Sequence, residues 1–75
     1  MLFKYTDNAI IVESDDDTVW LNMHKKIHRE DGPAIITDNG KYGWYLNGER
    51  VTKKEVLNTP AKRQKWNVEE LLLKL

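Results

Sequence analysis

The feature that most limits how this chain can fold is a set of turn-forming signals in its centre: Asp31-Gly32-Pro33, Asn39-Gly40 and Asn47-Gly48. Glycine tolerates positive φ, and proline fixes its own φ while donating no backbone hydrogen bond, so each site is suited to reversing the chain. Asn-Gly between apolar runs is the strongest short-range hairpin signal in a sequence. The stretch from His28 to Gly48 therefore reads as strand, tight turn, strand, turn, strand.

Seventy-five residues make a single domain near the lower limit for folding unaided, since a chain this short buries only about 60% of its unfolded surface. The sequence has no cysteine, which excludes a disulfide scaffold and a cysteine-ligated zinc site and suits a reducing cytoplasm. Three Trp, three Tyr and one Phe within a 40% hydrophobic composition suffice for a small packed core and argue against disorder. The start lacks the apolar centre of a signal peptide, and no apolar run approaches the roughly 20 residues that span a bilayer. The expectation is a soluble, unprocessed protein with no membrane partner. Its zero net charge conceals two unlike halves. Residues 1–50 carry six Lys/Arg against nine Asp/Glu, and residues 51–75 carry six against three. Either the halves attract each other within the fold, or a basic tail seeks an acidic partner.

An internal repeat organises the first fifty residues. Ala9-Ile10-Ile11 matches Ala34-Ile35-Ile36, Trp20 matches Trp44, and Leu21-Asn22 matches Leu46-Asn47, in the same order. Two degenerate hairpin units follow, at about residues 3–27 and 28–52, with a tail over 53–75. Strands are expected at residues 2–5, 9–13, 18–22, 34–37 and 42–46, with a short piece at Arg50-Val51. The period-two pleat puts Tyr42, Trp44 and Leu46 on one face and Gly43 and Tyr45 on the other, and sets Ile10 and Val12 opposite Ile11. Apolar residues on both faces require either a second cover or an exposed aromatic patch.

After residue 51 the period changes to that of a helix. Thr52-Lys53-Lys54-Glu55 has the form of a capping box, and Thr59-Pro60 that of a cap followed by a first-turn proline. Ala61, Val68, Leu71, Leu72 and Leu75 share one stripe, expected to cover the sheet, while Trp66 and Leu73 form a second. A continuous helix is favoured over a break at Asn67, because Asn inside a helix costs only about 0.7 kcal/mol relative to Ala. The fold class is α+β: an antiparallel meander of short strands from two hairpin repeats, covered by a C-terminal helix.

Chemistry is sparse. His24 and His28 lie in strand and turn with no third ligand pattern, and Glu30 and Asp31 point to opposite faces. The Glu13-Ser14-Asp15-Asp16-Asp17 run lacks the spacing of a calcium loop and reads as a solvated turn, and Ser14 has no nucleophile-elbow glycines around it. No catalytic residue, cofactor or metal site is assigned, and the chain is read as non-enzymatic. Lys53, Lys54, Lys62, Arg63 and Lys65, with Trp66 beside them, are the best candidate for a nucleic-acid surface, against a plain solvated helix face.

His28-Arg29-Glu30-Asp31-Gly32-Pro33-Ala34, with Trp44-Tyr45-Leu46-Asn47-Gly48, resembles the short W-x-x-N-G … H-R-x-D-G-P-A repeat of small bacteriophage and giant-virus proteins. That family is similar to MORN-type hairpin repeats. The first unit departs from the pattern: Asp7-Asn8-Ala9 stands for Gly-Pro-Ala, and Met23 stands where Gly follows Asn. The resemblance implies an array of hairpins and a viral source, with no settled activity. The expectation is a small viral binding protein that inhibits or modulates a protein, such as a defence factor, in the host cytoplasm. Alternatives are a nucleic-acid-binding protein using the basic tail and a small-molecule sponge. Tyr45, Trp66, Leu73, Lys62, Arg63 and Lys65 are the candidate partner-binding residues, and the excess apolar surface favours a homodimer with Trp66 at its interface.

Overall fold

Five short strands form one antiparallel meander in the computed structural model, which describes residues 2–75. They are β1 (Leu2–Tyr5), β2 (Ile10–Glu13), β3 (Asp17–Leu21), β4 (Ile35–Thr37) and β5 (Tyr42–Gly43), each hydrogen-bonded to its neighbour in sequence. A separate hairpin pairs β6 (Tyr45–Leu46) with β7 (Glu49–Arg50). The single strand expected over residues 42–46 is thus divided at Trp44, where the chain leaves the large sheet for the small one. Asn47 and Gly48 turn that hairpin with φ of 53° and 84°, the double positive φ that Asn-Gly supplies cheaply. The two units of the repeat meet here, since Asn22 donates from Nδ2 to Oδ1 of its counterpart Asn47 at 3.2 Å.

Gly32 has a different purpose from the one its turn context suggests. Its φ is not among the positive values; instead, a Cβ there would lie 2.7 Å from the Arg29 guanidinium carbon. The glycine provides room for a buried cation.

The tail forms α1 (Lys53–Val56) and α2 (Pro60–Leu73), without a break at Asn67. Thr52 and Thr59 cap them, their hydroxyls accepting from the backbone N–H of Glu55 and Lys62. The core lies between these helices and the sheets: Val56, Leu57 and Trp66, packed against Ile36, Tyr42, Trp44, Leu46 and Val51. Tyr42 and Trp44 both meet the Trp66 ring edge-on, with centroids at 5.3 and 6.0 Å.

The helix covers the sheet, but with the opposite stripe from the one expected. Trp66 is 0% exposed and forms the centre of the core, so in the single chain it is not an interface residue. Leu71, Leu72 and Leu75, expected to face the sheet, are 64, 62 and 94% exposed. Leu73, placed with Trp66 in the second stripe, is 53% exposed, so of that pair Trp66 alone is buried. What rotates α2 is Trp66, whose large ring packs among two other aromatics, and Glu69, one turn on, which is drawn to Arg29.

Candidate interaction surface

Arg29 ties the sheet to α2. It is 4% exposed, and its guanidinium lies 3.9 Å over the Trp20 ring and 5.8 Å from that of Trp66. Nη2 donates to both Glu69 carboxylate oxygens at 2.6 and 2.8 Å, Nε donates to Asp31 at 3.1 Å, and Nη1 donates to the Pro33 carbonyl at 3.3 Å. A buried cation needs such a full set of acceptors, because desolvation otherwise exceeds the Coulombic gain. Asp31 also accepts from Lys65 at 2.6 Å. Partial burial raises the Asp31 carboxyl, but the bonds from Lys65 and Arg29 outweigh it and leave its pKa below the ordinary 3.8.

His28 is likewise committed to the fold. Its Nδ1 accepts from the Asn47 backbone N–H at 2.9 Å and its Nε2 faces Glu30 at 3.0 Å, which defines the tautomer protonated on Nε2. The His28–Pro33 motif is therefore a bracket for the second hairpin and α2. An open cleft of about 290 Å³ beside it is lined by Trp20, His28, Arg29, Glu30, Asp31 and Lys62 among others. Its ionic groups face one another, and Lys62 donates to Asn58 at 3.3 Å. Among the described residues no group of three His, Asp or Glu is placed to hold a metal, and no helix is long and apolar enough to cross a membrane.

The sheet face turned away from the helices is apolar. Strand register places Phe3, Val12, Val19, Ile35 and Gly43 in one row across the sheet, and Tyr5, Ile10 and Leu21 in the next row of the same face. A Cβ on Gly43 would touch Tyr45 at 3.1 Å, so the Tyr45 ring extends the row beside Ile35. Ile36, Tyr42 and Trp20 lie on the other face, where Trp66 and Arg29 pack. Eight apolar side chains thus form an outer face with no helix over it; Phe3 is 56% and Tyr5 72% exposed. Five strands about 4.8 Å apart and four residues of about 3.3 Å give this face a footprint on the order of 300 Å². Exposed apolar patches of this size commonly mark interaction sites.

The residues singled out from sequence separate accordingly. Tyr45 is half-buried at the end of the outer face. Trp66 is core, which removes it from any base-stacking role. Leu73 is 53% exposed, and Lys62, Arg63 and Lys65 lie along α2, where Arg63 donates to the Leu57 carbonyl and Lys65 to Asp31. Sequence reasoning did not single out Phe3, Tyr5, Ile10, Val12, Val19, Leu21 and Ile35. The signal was present in the apolar residues on both faces of β2, but nothing local says which face the tail will cover.

The fold and surface define a class: a small α+β module with one sheet face packed and the other bare. No protein-family model matches the sequence, no curated protein matches it, and no solved structure matches the fold.

Proposed function

We propose that this chain is a non-enzymatic binding protein that docks on another protein through the outer face of its sheet. The observation that carries this reading is the uncovered row of apolar side chains from Phe3 to Tyr45, with Phe3, Tyr5 and Tyr45 as aromatic anchors. Aromatic side chains supply much of the binding energy at protein interfaces because they bury a large area at little entropic cost. The partner it fits presents a flat, uncharged apolar surface. Taken with the resemblance to bacteriophage and giant-virus repeats, the partner is a host protein in the host cytoplasm, such as a defence factor, which the chain inhibits or modulates.

The test is capture from host lysate by the full chain and by Val12→Glu, with and without nuclease. Nuclease-resistant capture that is lost in a Val12→Glu protein with an unchanged melt supports the reading. Capture abolished by nuclease assigns the chain to nucleic acid, and capture indifferent to Val12→Glu removes the sheet face from the interaction.

A further inference from the structure

The two ring nitrogens of His28 serve different partners, and only one of the two bonds tolerates a proton. Nε2–H donates to the Glu30 carboxylate at 3.0 Å, an arrangement that survives protonation of the ring and becomes an ion pair. Nδ1 accepts from the Asn47 backbone N–H at 2.9 Å, which requires its lone pair. In the imidazolium both nitrogens carry hydrogens, so turning the ring over offers Asn47 no acceptor. The side chain is 16% exposed, enough for a proton to reach it from solvent. We infer that His28 is a proton-operated latch on the second hairpin: the neutral ring holds the Asn47-Gly48 turn, and protonation on Nδ1 releases Asn47 while Glu30 keeps the ring in place.

Histidine is the side chain whose charge ordinarily changes between about pH 5 and 8, a window in which carboxylates and lysines keep theirs. Two clefts meet at the ring: Arg29, Asp31 and Lys62 line one with it, and Glu55 and Lys62 the other. Arg29 is bonded to Glu69 and Asp31, Asp31 also to Lys65, and Lys62 to Asn58. Glu30 is thus the one charged group bonded to the ring among the described residues. Lys26 lies beside Gly48 with its aliphatic stem. Release is local. Gly48 N–H still donates to the Ile27 carbonyl at 2.8 Å, Arg29 N–H to the Tyr45 carbonyl at 3.2 Å and Val51 N–H to the Trp44 carbonyl at 2.8 Å, and none of these bonds involves a titrating group. The base of the hairpin therefore stays docked while its tip comes free, with the Asn22 amide as the remaining side-chain tie to Asn47. No docked partner is needed for this step, so it stands apart from the function proposed above.

The nitrogen–nitrogen coupling across the Asn47 N–H···Nδ1 hydrogen bond, measured by NMR on the isotope-labelled full chain, tests the latch. The coupling is present at about pH 8 and absent at about pH 5, while the His28 ring shifts report protonation and the Gly48 amide stays protected. Exchange of the Asn47 amide, relative to its intrinsic rate, speeds up by roughly two- to tenfold, as expected for the loss of one hydrogen bond. His28→Asn puts an amide oxygen, an acceptor that does not titrate, near the Nδ1 position and removes the pH response of Asn47. His24→Gln, which removes the only other histidine from an exposed turn, leaves the response unchanged. A coupling that persists once His28 is protonated overturns the proposal, as does one missing at about pH 8. Loss of Gly48 protection together with that of Asn47 shows unfolding of the hairpin in place of a latch, and a response that persists in His28→Asn assigns it to another group; either result overturns the proposal as well. Should His28→Asn fail to fold, the coupling in the unmodified chain still decides.

Discussion

Arg29 and Glu69, forty residues apart in sequence, are joined by two hydrogen bonds of 2.6 and 2.8 Å, and this contact sets the rotation of α2 on the sheet. The arginine is buried, whereas the Glu69 side chain is 32% exposed, so removing the carboxylate leaves Nη2 of a buried cation without its acceptor, with Asp31 as the remaining carboxylate partner.

Glu69→Ala is therefore expected to destabilise the fold by about 3 kcal/mol, the low end for breaking a buried pair because solvent reaches one partner. Arg29→Met combined with Glu69→Leu is expected to recover most of that loss. Urea unfolding of the single and double variants measures both, and a double variant no better than the single would show that the pair itself supplies the stability.

At Gly32, crowding rather than backbone conformation governs the outcome. Gly32→Ala pushes a methyl to within 2.7 Å of the Arg29 guanidinium and is expected to cost about 1–3 kcal/mol, as overpacking does. Gly40→Ala has open space but a φ of 81°, and is expected to cost about 1 kcal/mol from the left-handed conformation alone. Pairing each with Arg29→Met separates the two causes: the change rescues Gly32→Ala and leaves Gly40→Ala as it was.

Trp66→Ala should cost about 3–5 kcal/mol, as a fully buried aromatic does, whereas Leu71→Ala should change the stability of the monomer by no more than about 0.5 kcal/mol. Thermal melts of the two variants decide this. Comparable losses would return the leucine stripe to the core.

Acid should weaken the Arg29 bracket through Asp31. A carboxyl whose folded pKa lies below its ordinary 3.8 adds stability above that pH, and the stability is lost as pH falls below 3.8 through the lower folded value. Asp31→Asn is therefore expected to flatten that part of the stability curve. An acid limb identical to that of the unmodified chain would assign the loss to other carboxylates.

Much of the architecture is legible in sequence because it is decided locally. Asn47-Gly48 turns because two adjacent residues tolerate positive φ, Thr52 and Thr59 cap because their hydroxyls reach amides three residues on, and the Ile and Trp runs keep the pleat's period. The sequence also shows that Val68, Leu71 and Leu72 share a side of one helix. Periodicity states which residues face together, but not what they face. That was decided only in the tertiary structure, where Trp66 found two aromatic edges and Glu69 found a buried guanidinium. Those contacts rotate the tryptophan inward, leave the leucines in water, and leave the outer sheet face bare from Phe3 to Tyr45.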